Sequence, residues 1–109
     1  MAIAHALSGQ PTDVLPLGAA LAGARTVALF KTDELEVIRL VLPAGKSMPP
    51  HKVAGAITVQ CIEGRVDITC EDGSHLLAAG QLLYLPGGVP HGVVALEDAS
   101  VLVTIVLRK

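Results

Sequence analysis

The chemistry this chain can offer is concentrated in two histidines. His51 and His91 are far apart in sequence, yet each follows a proline-bearing turn, Met48-Pro49-Pro50 before the first and Pro86-Gly87-Gly88-Val89-Pro90 before the second. An imidazole near neutral pH can ligate a metal through a ring nitrogen or move a proton as acid or base. Either use requires the two rings to meet, and depends on what else reaches the same space. Few other residues qualify. The serines, Ser8, Ser47, Ser74 and Ser100, include none in a G-x-S-x-G elbow. Gly87-Gly88 precedes an extended pattern rather than a helix, so it offers no phosphate-binding N-terminus. Acids such as Asp33, Glu36, Asp67, Glu71 and Asp98 fall at turns or on outward parities and read as solvated surface charges. Cys61 and Cys70 form no C-x-x-C pair and read as small buried hydrophobes. His5 and His75 read as exposed residues without a function.

The elements that must position the pair are strands. From Arg25 onward, short apolar or alternating runs are separated by turn chemistry every eight to twelve residues, the pattern of a sandwich or barrel. Strands are expected over 25–31, 34–42, 56–62, 65–71, 74–78, 81–86, 91–96 and 100–107. Turns are expected at Pro43-Ala44-Gly45, Glu63-Gly64, Asp72-Gly73 and Pro86-Gly87-Gly88, among others. Around Glu63-Gly64 a hairpin pairing Ile62 with Arg65 places Ile57, Val59, Cys61, Val66, Ile68 and Cys70 on one face. That face is apolar and points to the core, while Thr58, Gln60, Arg65, Asp67, Thr69 and Glu71 point away. Residues 1–24 read as an N-terminal arm, with LGAALAGA either a short helix or irregular and residues 1–10 loosely held. Residues 25–109 form the single domain.

The turns also carry a family pattern. Gly80, Pro86, Gly88 and His91 stand at the spacing of the second cupin motif, with Ala95 in place of its final asparagine. Gly45, His51 and Gly64 stand at the spacing of the first, with Val53 where a second histidine belongs and Ile57 where a glutamate belongs. The chain therefore resembles a small single-domain cupin with a degenerate first motif. The resemblance implies an all-β, jelly-roll-type barrel preceded by a short irregular or helical segment. It also implies a metal site built from three histidines and a glutamate, of which only His51 and His91 remain. Residues two apart on a strand share a face, so Val53 would put an isopropyl group where an imidazole closes the coordination sphere. Catalytic zinc takes three protein ligands, and non-haem iron takes two histidines and a carboxylate. Two imidazoles reach neither set, which leaves at most a low-affinity seat for zinc, iron, manganese or nickel.

Composition narrows the remaining classes. The 109 residues are 51% hydrophobic, with 17% charged and a mean hydropathy of +0.59. No apolar run reaches the ~18 residues of a membrane span, so the excess is assigned to a homodimer interface. A net charge of −2 with scattered Lys and Arg excludes nucleic acid as an expected partner. Phe30 and Tyr84 are the whole aromatic complement, too few for a stacking platform. The opening MAIAHALSGQ lacks a signal-peptide pattern, and a cytoplasmic location is expected. For function, the expectation is a small molecule bound in a barrel pocket formed by His51, Val53, Ile57, Val59 and His91. The alternatives are a metal-dependent enzyme of the dioxygenase or isomerase kind using His51 and His91, and a non-catalytic scaffold or partner-binding module. A cavity of a few hundred Å³ would favour ligand binding, and an interior packed shut by Val53, Ile57, Val59 and Ile68 would oppose it.

Overall fold

Short runs rich in Val, Ile and Leu fold into nine strands in the computed structural model, which describes residues 6–107. They are β1 (Val27–Lys31), β2 (Leu35–Leu42), β3 (Ser47–His51), β4 (Ile57–Glu63), β5 (Arg65–Cys70), β6 (Gly73–Ala78), β7 (Leu82–Leu85), β8 (His91–Ala95) and β9 (Ala99–Val106). Every pairing is antiparallel. One sheet has the order β1-β2-β9-β4-β7 and the other β3-β8-β5-β6. A 3₁₀ helix at Gly18–Gly23 precedes them, so the chain is the all-β barrel expected, with a short helical N-terminal segment. His5 and the start of the expected loose segment lie outside the described residues.

The alternation of apolar and polar side chains explains why the two sheets face each other. Leu42, Ile57, Val59, Cys61, Leu85, Ala99 and Val101 from one sheet meet Val66, Ile68, Leu77, Val93 and Ala95 from the other in one buried cluster. Each fully buried aliphatic side chain stabilises the fold by about 1.5–3 kcal/mol. The inward set expected around Glu63-Gly64 is buried, save Cys70, which is half-buried. The hairpin itself is a correction. β4 pairs with β7 and β9 while β5 pairs with β6 and β8, so Gly64 carries the chain from one sheet to the other. The faces survive because the inner faces of two stacked sheets look at each other, just as one face of a hairpin would. Gly64 sits at φ 77°, and a Cβ there would lie 2.2 Å from the Asp98 carbonyl oxygen, so only glycine fits the crossover.

Two other expectations shift. The β5–β6 turn is Glu71-Asp72, with Gly73 already paired to Cys70, one residue earlier than the Asp72-Gly73 reading. β3 is a strand although it contains Pro49 and Pro50. It lies at the edge of its sheet, and its pairing with β8 slips between Met48 and His51. An edge position and a bulge are where a strand tolerates residues without an N–H.

The N-terminal segment is held by two charged side chains on the outer face of the larger sheet. Arg39, 6% exposed, donates from its guanidinium to the carbonyls of Leu15 at 2.8 Å and Asp13 at 3.4 Å. The Glu63 carboxylate accepts from the backbone N–H groups of Leu17 at 2.9 Å and Gly18 at 3.0 Å and from the Ser100 hydroxyl at 2.5 Å. Burial alone would raise the Glu63 pKa. The bonds from Leu17, Ser100 and Gly18, with the Arg39 charge, outweigh it and hold the carboxyl below its ordinary value.

Candidate functional site

The slip in β3 aims His51. Met48 pairs with Val93 and His51 pairs with His91, so Pro49 and Pro50 together stand opposite the single residue Gly92. In a regular strand, residues three apart point to opposite faces. The extra residue restores His51 to the inner face that Met48 occupies. Gly92 makes room, since a Cβ there would come within 2.9 Å of the Met48 carbonyl oxygen and 2.8 Å of Thr69 Oγ1. His91 is the first residue of β8 and is 6% exposed, whereas His51 is exposed at the mouth.

The two rings meet with centroids 4.6 Å apart and planes tilted by 53°. His51 Nδ1 lies 3.3 Å from the Pro49 carbonyl oxygen, and His91 Nδ1 lies 3.0 Å from that of Val89. A carbonyl can only accept, so each Nδ1 carries the proton and donates. In the neutral form of each ring, Nε2 then keeps a lone pair. Both rings thus present an acceptor, oriented by a residue two positions earlier in the chain.

Both histidines line a cavity of about 110 Å³ whose other walls are Ile38, Leu40, Met48, Ile57, Val59, Val93, Val103 and Ile105. It lies between the sheets and is apolar apart from the imidazoles. Four of the five expected pocket residues, His51, Ile57, Val59 and His91, are brought together there. Val53 is not among its walls. It sits beyond the end of β3, partly buried against the core, where its carbonyl accepts from the Gly88 N–H at 2.8 Å. Met48 lines the cavity unforeseen, because regular alternation counted back from His51 puts it on the wrong face.

The donor set does not fit a resident zinc or iron centre. Among the described residues, no group of three or more His, Cys, Asp or Glu donors includes His51 or His91. The cavity adds only the Met48 thioether, and Thr58 and Gln60 point away, paired in register with Tyr84 and Leu82 on the outer face.

A different cluster stands nearby. Cys70 pairs with His91 across β5–β8 and with Gly73 across β5–β6, and His75 follows on the same inner face beside Ile68. Asp72, in the turn, accepts from or pairs with His75 Nε2 at 3.0 Å. Burial pushes the Cys70 thiol up, with the charges of Asp72 and Asp67 adding to it. Burial also raises the Cys61 thiol, against a weaker opposing backbone bond at Glu63. Both cysteines are free thiols.

Known proteins place this architecture. Residues 38–107 match the sequence profile of the cupin domain. No curated protein matches the chain. An RmlC-like cupin protein from Desulfovibrio desulfuricans superposes with a TM-score of 0.74 at 24% identity, covering 89% of this chain and 96% of its own. An RmlC-like cupin family protein with a double-stranded β-helix fold from Methanocaldococcus jannaschii gives 0.74 at 22%, covering 91% and 94%. The polyketide cyclase RemF from Streptomyces resistomycificus gives 0.67 at 20%, covering 76% and 64%. At such identities these neighbours share a fold, and one fold hosts many activities. With the cupin profile spanning most of the barrel, the chain belongs to the cupin family.

Proposed function

We propose that this cupin binds a small, compact and largely apolar molecule in the cavity between its sheets. One hydrogen-bond donor of that molecule is held by Nε2 of His51 or His91. The observation that carries this reading is the pair of Nδ1 bonds to the Pro49 and Val89 carbonyls, which turns both rings into oriented acceptors beside apolar walls. Size sets the class. The cavity of about 110 Å³ is neither packed shut nor as large as the few hundred Å³ of common ligand sites. An apolar cavity of about 150 Å³ takes up benzene, so the ligand here is no larger than a small ring. Its donor matters because an unpaired acceptor buried beside an apolar ligand costs about 1–3 kcal/mol.

Calorimetric titration with pyrrole, a five-membered ring with one N–H donor, and with cyclopentane, which has none, tests the reading. Pyrrole is expected to bind at least about tenfold more tightly, the ratio of a 1.4 kcal/mol difference, and to lose that advantage in His51→Ala/His91→Leu. Equal affinities, or an advantage that persists in the double variant, would refute it.

The same reading includes a homodimer. Leu82 and Tyr84 on edge strand β7 are 63% and 64% exposed, Val106 is 44% exposed, and Leu15 of the N-terminal segment is 68% exposed. The register puts Leu82 and Tyr84 in outward rows with Leu102 and Thr104 of β9, a surface suited to a second copy of the chain. No helix among the described residues is long and apolar enough to cross a membrane. A reducing compartment such as the cytoplasm fits the free thiols.

A further inference from the structure

A concavity larger than the one that holds the histidine pair lies on the same side of the smaller sheet. A cleft of about 590 Å³ opens between the β5–β6 hairpin and the segment from Leu83 to Pro90. One wall is aliphatic, with Leu83, Leu85, Pro86 and Val89. The other carries Cys70, Asp72 and His75. These three are the one group among the described residues whose donor atoms, one from each, all lie within 4.8 Å of one another.

The hairpin produces that proximity. Cys70 and Gly73 are the closing pair of a two-residue turn, and His75 is two residues beyond Gly73 on the same face. Thiol and imidazole are therefore diagonal cross-strand neighbours, whose Cα atoms lie roughly 7–8 Å apart and whose side chains can converge. Asp72 occupies the turn, and its carboxylate already reaches His75 Nε2 at 3.0 Å. Ligand bonds of about 2.0–2.3 Å in a tetrahedron separate donor atoms by roughly 3.5 Å, so small rotations of side chains at a hairpin tip complete the set. Thiolate, imidazole and carboxylate together suit a borderline-soft divalent ion. All three residues face the cleft, which leaves a fourth position open to water or a ligand.

We propose that Cys70, Asp72 and His75 form a second site in this protein, a three-ligand site for zinc or a zinc-like divalent ion that opens into the cleft. On binding, the Cys70 thiol gives its proton to solvent and the sulfur coordinates as thiolate. The proposal is independent of the His51–His91 reading, since the two sites share no residue.

Cobalt(II) alone, titrated into the intact chain, is the probe, because a cobalt–thiolate bond adds charge-transfer absorption in the near ultraviolet that histidine-only coordination lacks. The band is expected in the unmodified protein, in His51→Ala/His91→Gln and in Cys61→Ala. It is expected to vanish in Cys70→Ser and to require at least about tenfold more cobalt in His75→Ala or Asp72→Asn. Zinc should abolish it by displacement. Should a variant fail to fold, alkylation of Cys70 in the unmodified protein gives the answer: zinc is expected to slow it at least about tenfold. Absence of the band at saturating cobalt, its persistence in Cys70→Ser, or Cys70 alkylation unchanged by zinc would overturn the proposal.

Discussion

A neutral imidazole has one donor and one acceptor, and at both His51 and His91 a backbone carbonyl takes the donor. The rings are alike in that respect and unlike in burial. His91 is enclosed, so removing its ring leaves a void and an unpaired Val89 carbonyl, whereas His51 stands at the mouth. His91→Ala is expected to destabilise the fold by about 1–3 kcal/mol, and His51→Ala by no more than about 0.5 kcal/mol. Urea unfolding of the two variants checks the difference, and equal losses would contradict the placement. Both histidines were legible in the sequence because glycine and proline spacing marks the turns that launch them. Val53 and Met48 were not. Alternation continued past His51 aims Val53 inward, but β3 ends at His51, and alternation counted back to Met48 misses the extra residue at the Pro49-Pro50 bulge.

Among the elements, the N-terminal segment depends on Glu63 and Arg39. The Glu63 carboxyl lies below its ordinary value of 4.5 in the folded chain. Its contribution is therefore complete above that value and is lost as pH falls below it, through the lowered folded pKa. The Leu17 and Gly18 amide resonances are expected to titrate together in that acid range, and Glu63→Gln to abolish the step. Resonances that move separately, or a step that survives in the variant, would count against the contact. Gly64→Ala is expected to cost more than about 1 kcal/mol in thermal or urea unfolding, because it combines a left-handed φ with a collision against Asp98. The motif glycines Gly45, Gly64, Gly80 and Gly88 all have φ between 77° and 89°, which is why their spacing identified the barrel. Strand pairing was harder to read. Alternation marks which side chains are inside, but a tight turn between two sheets and a hairpin within one sheet give the same alternation, so β4 and β5 read as one hairpin although they lie in different sheets.

In the whole molecule, the imidazoles of both candidate sites and the Cys70 thiol lie along the inner face of the smaller sheet. His51, His91 and Cys70 are successive cross-strand partners, with His75 one row away, while the opposite wall is aliphatic. The outer face of the larger sheet carries the exposed Leu82 and Tyr84, the centre of the proposed homodimer interface. Light scattering at micromolar concentration is expected to give a dimer mass, and Leu82→Lys/Tyr84→Lys a monomer. A monomeric unmodified chain would contradict the interface. The proposed ligand site requires both imidazoles to be acceptors at Nε2. Long-range ¹H–¹⁵N spectra of the histidine rings measure this directly. They are predicted to show His51 and His91 with a protonated Nδ1 and a bare Nε2, and both Nε2 signals are predicted to move on adding pyrrole. A protonated Nε2 on either neutral ring, or Nε2 signals indifferent to pyrrole, would contradict it.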